Sequence, residues 1–114
     1  MPMRIGFSRF RQQMLERELE NIHELLPTLG IEKVILTGDM VTGKYSPESQ
    51  IGLIIVQETD RPFGRRADFF SYHLGSSVDV DTLVYTPEEF ERLRDTLPAL
   101  HSACEKGRVI YDAG

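Results

Sequence analysis

The chain reads as an α/β protein built on one sheet, and three observations predict it. Two stretches, residues 10–29 and 63–74, carry apolar side chains at three- and four-residue steps, the period of an amphipathic helix. Short apolar runs at 34–36, 51–56 and 78–85 have strand length and strand composition. The two kinds of segment alternate along the sequence, which is the pattern of helices packed on a sheet.

Taken in order, Phe10, Met14, Leu15, Leu19, Ile22, Leu25, Leu26 and Leu29 define a long first helix, with Ser8 as its expected N-cap and Gly30 closing the region. Val34, Ile35 and Leu36 form the first strand. Between Asp39 and Gly43 there is space for about one helical turn. Residues 51–56 form a second, buried strand. Phe63, Ala67, Phe70 and Leu74 step by four, three and four before Gly75, giving a helix with a glycine stop. After a third strand at 78–85, Thr86, Pro87, Glu88 and Glu89 spell a capping box with proline at the first helical position. That helix runs through Phe90 and Leu93. A further helix starts at Pro98 and carries Leu100 and Cys104 to Gly107, and residues 108–111 form a terminal strand.

The 114 residues are 40% hydrophobic, enough for one domain with a core of its own, spanning 1–114. Eighteen acidic against thirteen basic residues leave a net charge of -5, which argues against a broad nucleic-acid surface. The single Cys104 has no internal disulfide partner. The first twenty residues lack a signal peptide's apolar run, and no segment approaches the roughly 20 apolar residues of a membrane span. The expectation is a cytoplasmic protein with no membrane contact.

The most informative stretch is 37–56, TGDMVTGKYSPESQIGLIIV. A strand ends in Gly38-Asp39, a short helix follows, and after the ten residues 40–49 a second strand opens with Gln50-Ile51-Gly52. Together with LGIEKVILTGD, VDVDTLVYTPEEFERL and the ending EKGRVIY, in that order and register, it resembles minimal nucleotidyltransferases of the polymerase-β-like superfamily over nearly the whole chain. The resemblance implies a single-layer mixed sheet with helices packed mainly on one face.

In active members of that family the strand–helix turn carries Gly-Ser and the second strand Asp-x-Asp. Here Gly38 falls on the glycine, Asp39 on the serine, Gln50 on the first aspartate, Gly52 on the second, and Asp81 on the aspartate of the third strand. The family's carboxylates hold Mg²⁺, a hard ion that wants oxygen ligands, and two ions clamp the attacking and leaving oxygens. Gln50 offers only a neutral amide oxygen and Gly52 nothing. A serine after the glycine lets a helix N-terminus receive phosphate, whereas Asp39 places a negative charge there, so Gly38 and Asp39 are doubtful as nucleotide-binding residues. At about 4 Å and an effective dielectric of 20, two such charges repel by about 4 kcal/mol. Asp39 reads instead as a helix N-cap.

Asp81, with Asp79 on the same side of the strand, is the remaining candidate metal ligand, against the plainer reading of a solvated pair. A rescue in which Asp39, Asp79 and Asp81 assemble a different cation site stays open. Gly52 has its own plain account, since glycine in a strand marks a bulge or a close approach of backbone.

The expected function is therefore a nucleotidyltransferase-like pseudoenzyme with no catalytic residue set intact and no cofactor, acting as a binding or regulatory module. The resemblance implies a protein partner, with small helical HEPN-type proteins of toxin–antitoxin pairs as candidates; a homo-oligomer is compatible with it. The alternative is an active enzyme that uses Mg²⁺ and a nucleoside triphosphate to transfer a nucleoside monophosphate to a protein or small-molecule hydroxyl. Arg61, Arg65 and Asp68 read as a solvated helix face, with Arg66 beside them. His23, His73 and His101 show no metal-ligand spacing, and Cys104 reads as a small core residue.

Overall fold

A computed structural model describes residues 2–74, 78 and 80–113. In chain order the elements are α1 (Pro2–Leu25), a 3₁₀ turn (Leu26–Thr28), β1 (Lys33–Thr37), α2 (Asp39–Thr42), β2 (Ile51–Val56), α3 (Phe63–Leu74), β3 (Val80–Tyr85), α4 (Pro87–Leu93), α5 (Pro98–Lys106) and β4 (Arg108–Asp112). The strands form one mixed sheet in the order β3-β2-β1-β4. β1 lies antiparallel to both β2 and β4, while β2 and β3 run parallel. A bulge interrupts the β1–β4 register between Val34 and Ile35.

Side chains alternate across a strand, so the sheet sorts its apolar residues into two cores. Val34, Leu36, Ile51, Leu53, Ile55 and Val84 face one side, where they meet Leu15 and Ile22 of α1 and Phe70 of α3. Ile35, Ile54, Val56 and Tyr85 face the other, where they meet Phe90 of α4 and Leu100 and Ala103 of α5. The two longer helices thus lie on one face, with a thinner helical layer on the opposite face. The fold is α/β with a single mixed sheet. No helix of the described residues is long and apolar enough to cross a membrane.

Two local expectations need correcting. The first helix begins at Pro2, so Ser8 sits inside α1 and does not cap it. The third strand begins at Val80; Val78 before it is buried in the α1 side core, and Asp79 and Gly75 fall outside the described residues.

The capping box is present as read. Thr86 Oγ1 accepts from the Glu89 N–H at 3.2 Å, and the Thr86 N–H donates to Glu89 Oε1 at 2.9 Å. Glu89 has a second task, because Arg66 of α3 donates to both of its oxygens, at 2.5 and 3.3 Å. The same guanidinium reaches the carbonyls of Arg61 and Val84. Arg66 is buried, so a side chain that the sequence placed beside a solvated face is the pin between α3, β3 and α4. Arg65 and Asp68 do form the exposed pair expected of that face.

Candidate functional site

All five motif positions gather at one end of the sheet. Gly38 and Asp39 leave the C-terminal end of β1, Gln50 and Gly52 enter the N-terminal end of β2, and Asp81 is the second residue of β3. The register fixes three of these strands in one row. Thr37 pairs with Gly52, and Gly52 pairs with Asp81. Paired residues share a face, so Thr37, Gly52 and Asp81 all lie on the side of the sheet that carries α4 and α5.

The turn itself needs a glycine. Gly38 has φ 83° and ψ -150°, a conformation that side-chain-bearing residues essentially do not adopt. It is also the N-cap of α2, and its carbonyl accepts the N–H groups of Val41 and Thr42 at 3.0 and 3.2 Å. Asp39 is therefore the first helical residue, and no side chain caps α2. This overturns the reading of Asp39 as the cap.

The Asp39 carboxylate is engaged elsewhere. Its Oδ2 accepts a hydrogen bond from Ser49 Oγ at 2.7 Å, across the ten-residue connection. Ser49 is buried, and its hydroxyl also accepts the Ser46 N–H at 2.8 Å, while its carbonyl accepts Arg11 Nε of α1 at 2.7 Å. A buried hydroxyl left unpaired is costly, so each of these bonds holds the others in place. The chain Arg11–Ser49–Asp39 ties α1 to the turn and aims the carboxylate inward. Sequence reasoning did not name Ser49, whose only advance signal is a small polar residue just before a buried strand.

Neither family Protein models, curated proteins nor solved structures match this chain.

Gly52 is explained by space. A Cβ there would lie 2.6 Å from Thr37 Oγ1 and 3.3 Å from the Thr37 carbonyl oxygen. Real Cβ atoms essentially never come that close to another heavy atom, so the Thr37 side chain fills the place a residue at 52 would need. Here the expected close approach of another strand is what the structure holds. Gln50 and Asp81 are exposed. Among the described residues no three His, Cys, Asp or Glu side chains converge as a cation site would require.

One cleft opens beside this end of the sheet, next to Asp39. The cleft, about 680 Å³, lies between α1 and β4 and takes in Glu20, His23, Tyr45 and Arg108. Burial, with Glu16 nearby, pushes the Tyr45 hydroxyl above its ordinary pKa. That cleft is lined by the neighbours of the motif residues and not by Gly38, Asp39, Gln50, Gly52 or Asp81 themselves.

Proposed function

We propose that the chain is a nucleotidyltransferase-like domain that has lost metal-dependent transfer and acts by binding a protein partner. One observation carries the reading: the groups at the motif end are consumed by internal contacts. Asp39 spends its carboxylate on Ser49, and Thr37 occupies the space in front of Gly52. Phosphoryl transfer relies on positioned charge around the transferring group, and here Asp39 is turned toward Ser49 while Asp81 stands exposed on β3 with no carboxylate beside it at position 52. A small helical protein of HEPN type remains the candidate partner.

The test is a melting experiment with Mg²⁺ or Mn²⁺ and each nucleoside triphosphate in turn. A ligand present at 100 times its dissociation constant stabilises a folded protein by about 2.7 kcal/mol, which a thermal melt resolves. No shift is expected. A shift that Asp81→Ala abolishes, together with label transferred from the α-phosphate position of ATP to a co-purifying protein, would replace this reading with that of an active enzyme.

A further inference from the structure

The N-terminal half of α1 stands apart from both cores. From Gly6 to Met14 no side chain is fully buried, and among the described side chains of α1 the first to be so is Leu15. Phe7 and Phe10 are 57% and 61% exposed, although aromatic side chains of this size are normally the ones a fold hides. With half-buried Met14, Arg17 and Asn21 they follow at alternating three- and four-residue steps, the repeat of a coiled-coil seam. Phe7, Phe10, Arg17 and Asn21 lie on a different side of the helix from Leu15 and Ile22, while Met14 sits at the border and also packs against the α1-side core.

Charge identifies the occupant. Residues 2–12 contain Arg4, Arg9 and Arg11 and no acid, whereas residues 13–25 contain Glu16, Glu18, Glu20 and Glu24 against Arg17. Helix stability does not account for this segregation. The macrodipole favours acids near the N-terminus and bases near the C-terminus, and the arginine and glutamate blocks are arranged the opposite way. Laid antiparallel, however, two copies of α1 set each basic half against an acidic half, and their dipoles oppose favourably as well.

We propose that the exposed seam of α1 is a homodimer surface on which a second copy of the chain packs antiparallel about a two-fold axis. In the register that sets Phe10 against Met14 of the partner subunit, Phe7 faces Arg17 of the partner subunit. Both pairings are favourable for an aromatic ring, the first through sulfur and the second through the cation. A two-fold interface of this kind uses the same patch twice, so a self-complementary charge pattern on a single helix is what it requires. This proposal is independent of the reading of the motif end.

The experiment is sedimentation velocity over a wide concentration series at low ionic strength, where exposed charges act most strongly. The wild-type chain is expected to dimerise reversibly, and added salt to weaken the dimer. Phe7→Ser with Phe10→Ser should raise the dimer dissociation constant by about tenfold or more while leaving the melting temperature of the monomer unchanged, since neither ring is in a core. Glu20→Arg should weaken the dimer, because in this antiparallel register position 20 lies against the basic half of the partner subunit. A chain that stays monomeric at every concentration, including one that associates only with a different protein, would overturn the proposal. So would a dimer indifferent to the phenylalanine changes or to Glu20→Arg.

Discussion

Gly52→Ala should change sign with the residue at position 37. Glycine within a strand costs about 0.5–1 kcal/mol relative to alanine, so on backbone grounds alone the substitution stabilises. The added Cβ, however, would stand 2.6 Å from Thr37 Oγ1. Thr37 is β-branched, and two of the three staggered positions on its Cβ are filled, so only one of its other rotamers turns a hydrogen toward Gly52. Crowding of this kind costs about 1–3 kcal/mol, which outweighs the backbone gain and leaves Gly52→Ala destabilising by about 1–2 kcal/mol. Removing Oγ1 with Thr37→Ala leaves only the 3.3 Å approach to the Thr37 carbonyl, a contact that a shift of a few tenths of an ångström relieves. In that background Gly52→Ala should be neutral or stabilising. Urea denaturation of the wild type, the two single variants and the double variant measures the coupling directly. Equal effects of Gly52→Ala in both backgrounds would refute the claim that Thr37 occupies the place of a side chain at 52, and with it the main physical support for an inactive motif.

Two further outcomes follow from the hydrogen-bond networks. Hydrogen bonds from the Arg66 side chain and the Thr86 backbone hold the Glu89 carboxyl at about 2, against an ordinary 4.5. A carboxylate with a lowered folded-state pKa stabilises fully above its unfolded value and loses that contribution as pH falls through the folded one. The shift corresponds to at most about 3 kcal/mol, and solvent screening of this partly exposed group reduces it to about 1–2 kcal/mol. The stability gap between wild type and Glu89→Gln should therefore be constant near neutrality and shrink between pH 4.5 and about 2, as followed by urea melts; a gap that does not vary over that range would count against the bridge. Ser49→Ala should cost about 1–3 kcal/mol by leaving the Ser46 N–H and the Asp39 carboxylate without their partner. Adding Asp39→Ala to Ser49→Ala should then cost less than Asp39→Ala does alone, and strict additivity in the melts would show that the two residues are not coupled.

The parts of the fold that the sequence announced are those whose cause is local. Thr86 and Glu89 are three residues apart and cap a helix by geometry that any chain with those residues can adopt. The strand Ile51–Val56 and the helix Phe63–Leu74 have the predicted bounds because their apolar periodicity is uninterrupted. What escaped is held by contacts between residues distant in sequence. Arg11 meets Ser49 across 38 positions and Arg66 meets Glu89 across 23, and no period of two or 3.6 residues encodes either. Asp39 was misread for a related reason. Aspartate is a favoured cap, but at this turn the preceding glycine takes the cap position with a backbone conformation closed to other residues, and the carboxylate is left to find Ser49. Phe10 was counted toward the buried face of the first helix because it is apolar and in step, yet it stands exposed on a different side of α1 from Leu15 and Ile22.

These long-range contacts also bear on what the motif end can become. Placing carboxylates at positions 50 and 52 would not by itself build a metal site, because an aspartate at 52 meets Thr37 before it meets a metal. A serine at 39 would remove a charge from the turn, but it would also strip Ser49 of its acceptor and loosen the segment that Arg11 holds against α1. The Asp39–Ser49 bond opposes a change at 39, and the Thr37 side chain opposes one at 52. Both features keep this end as it is: Asp39 and Arg11 hold the segment before β2 through Ser49, and Thr37 fills the place of a side chain at position 52.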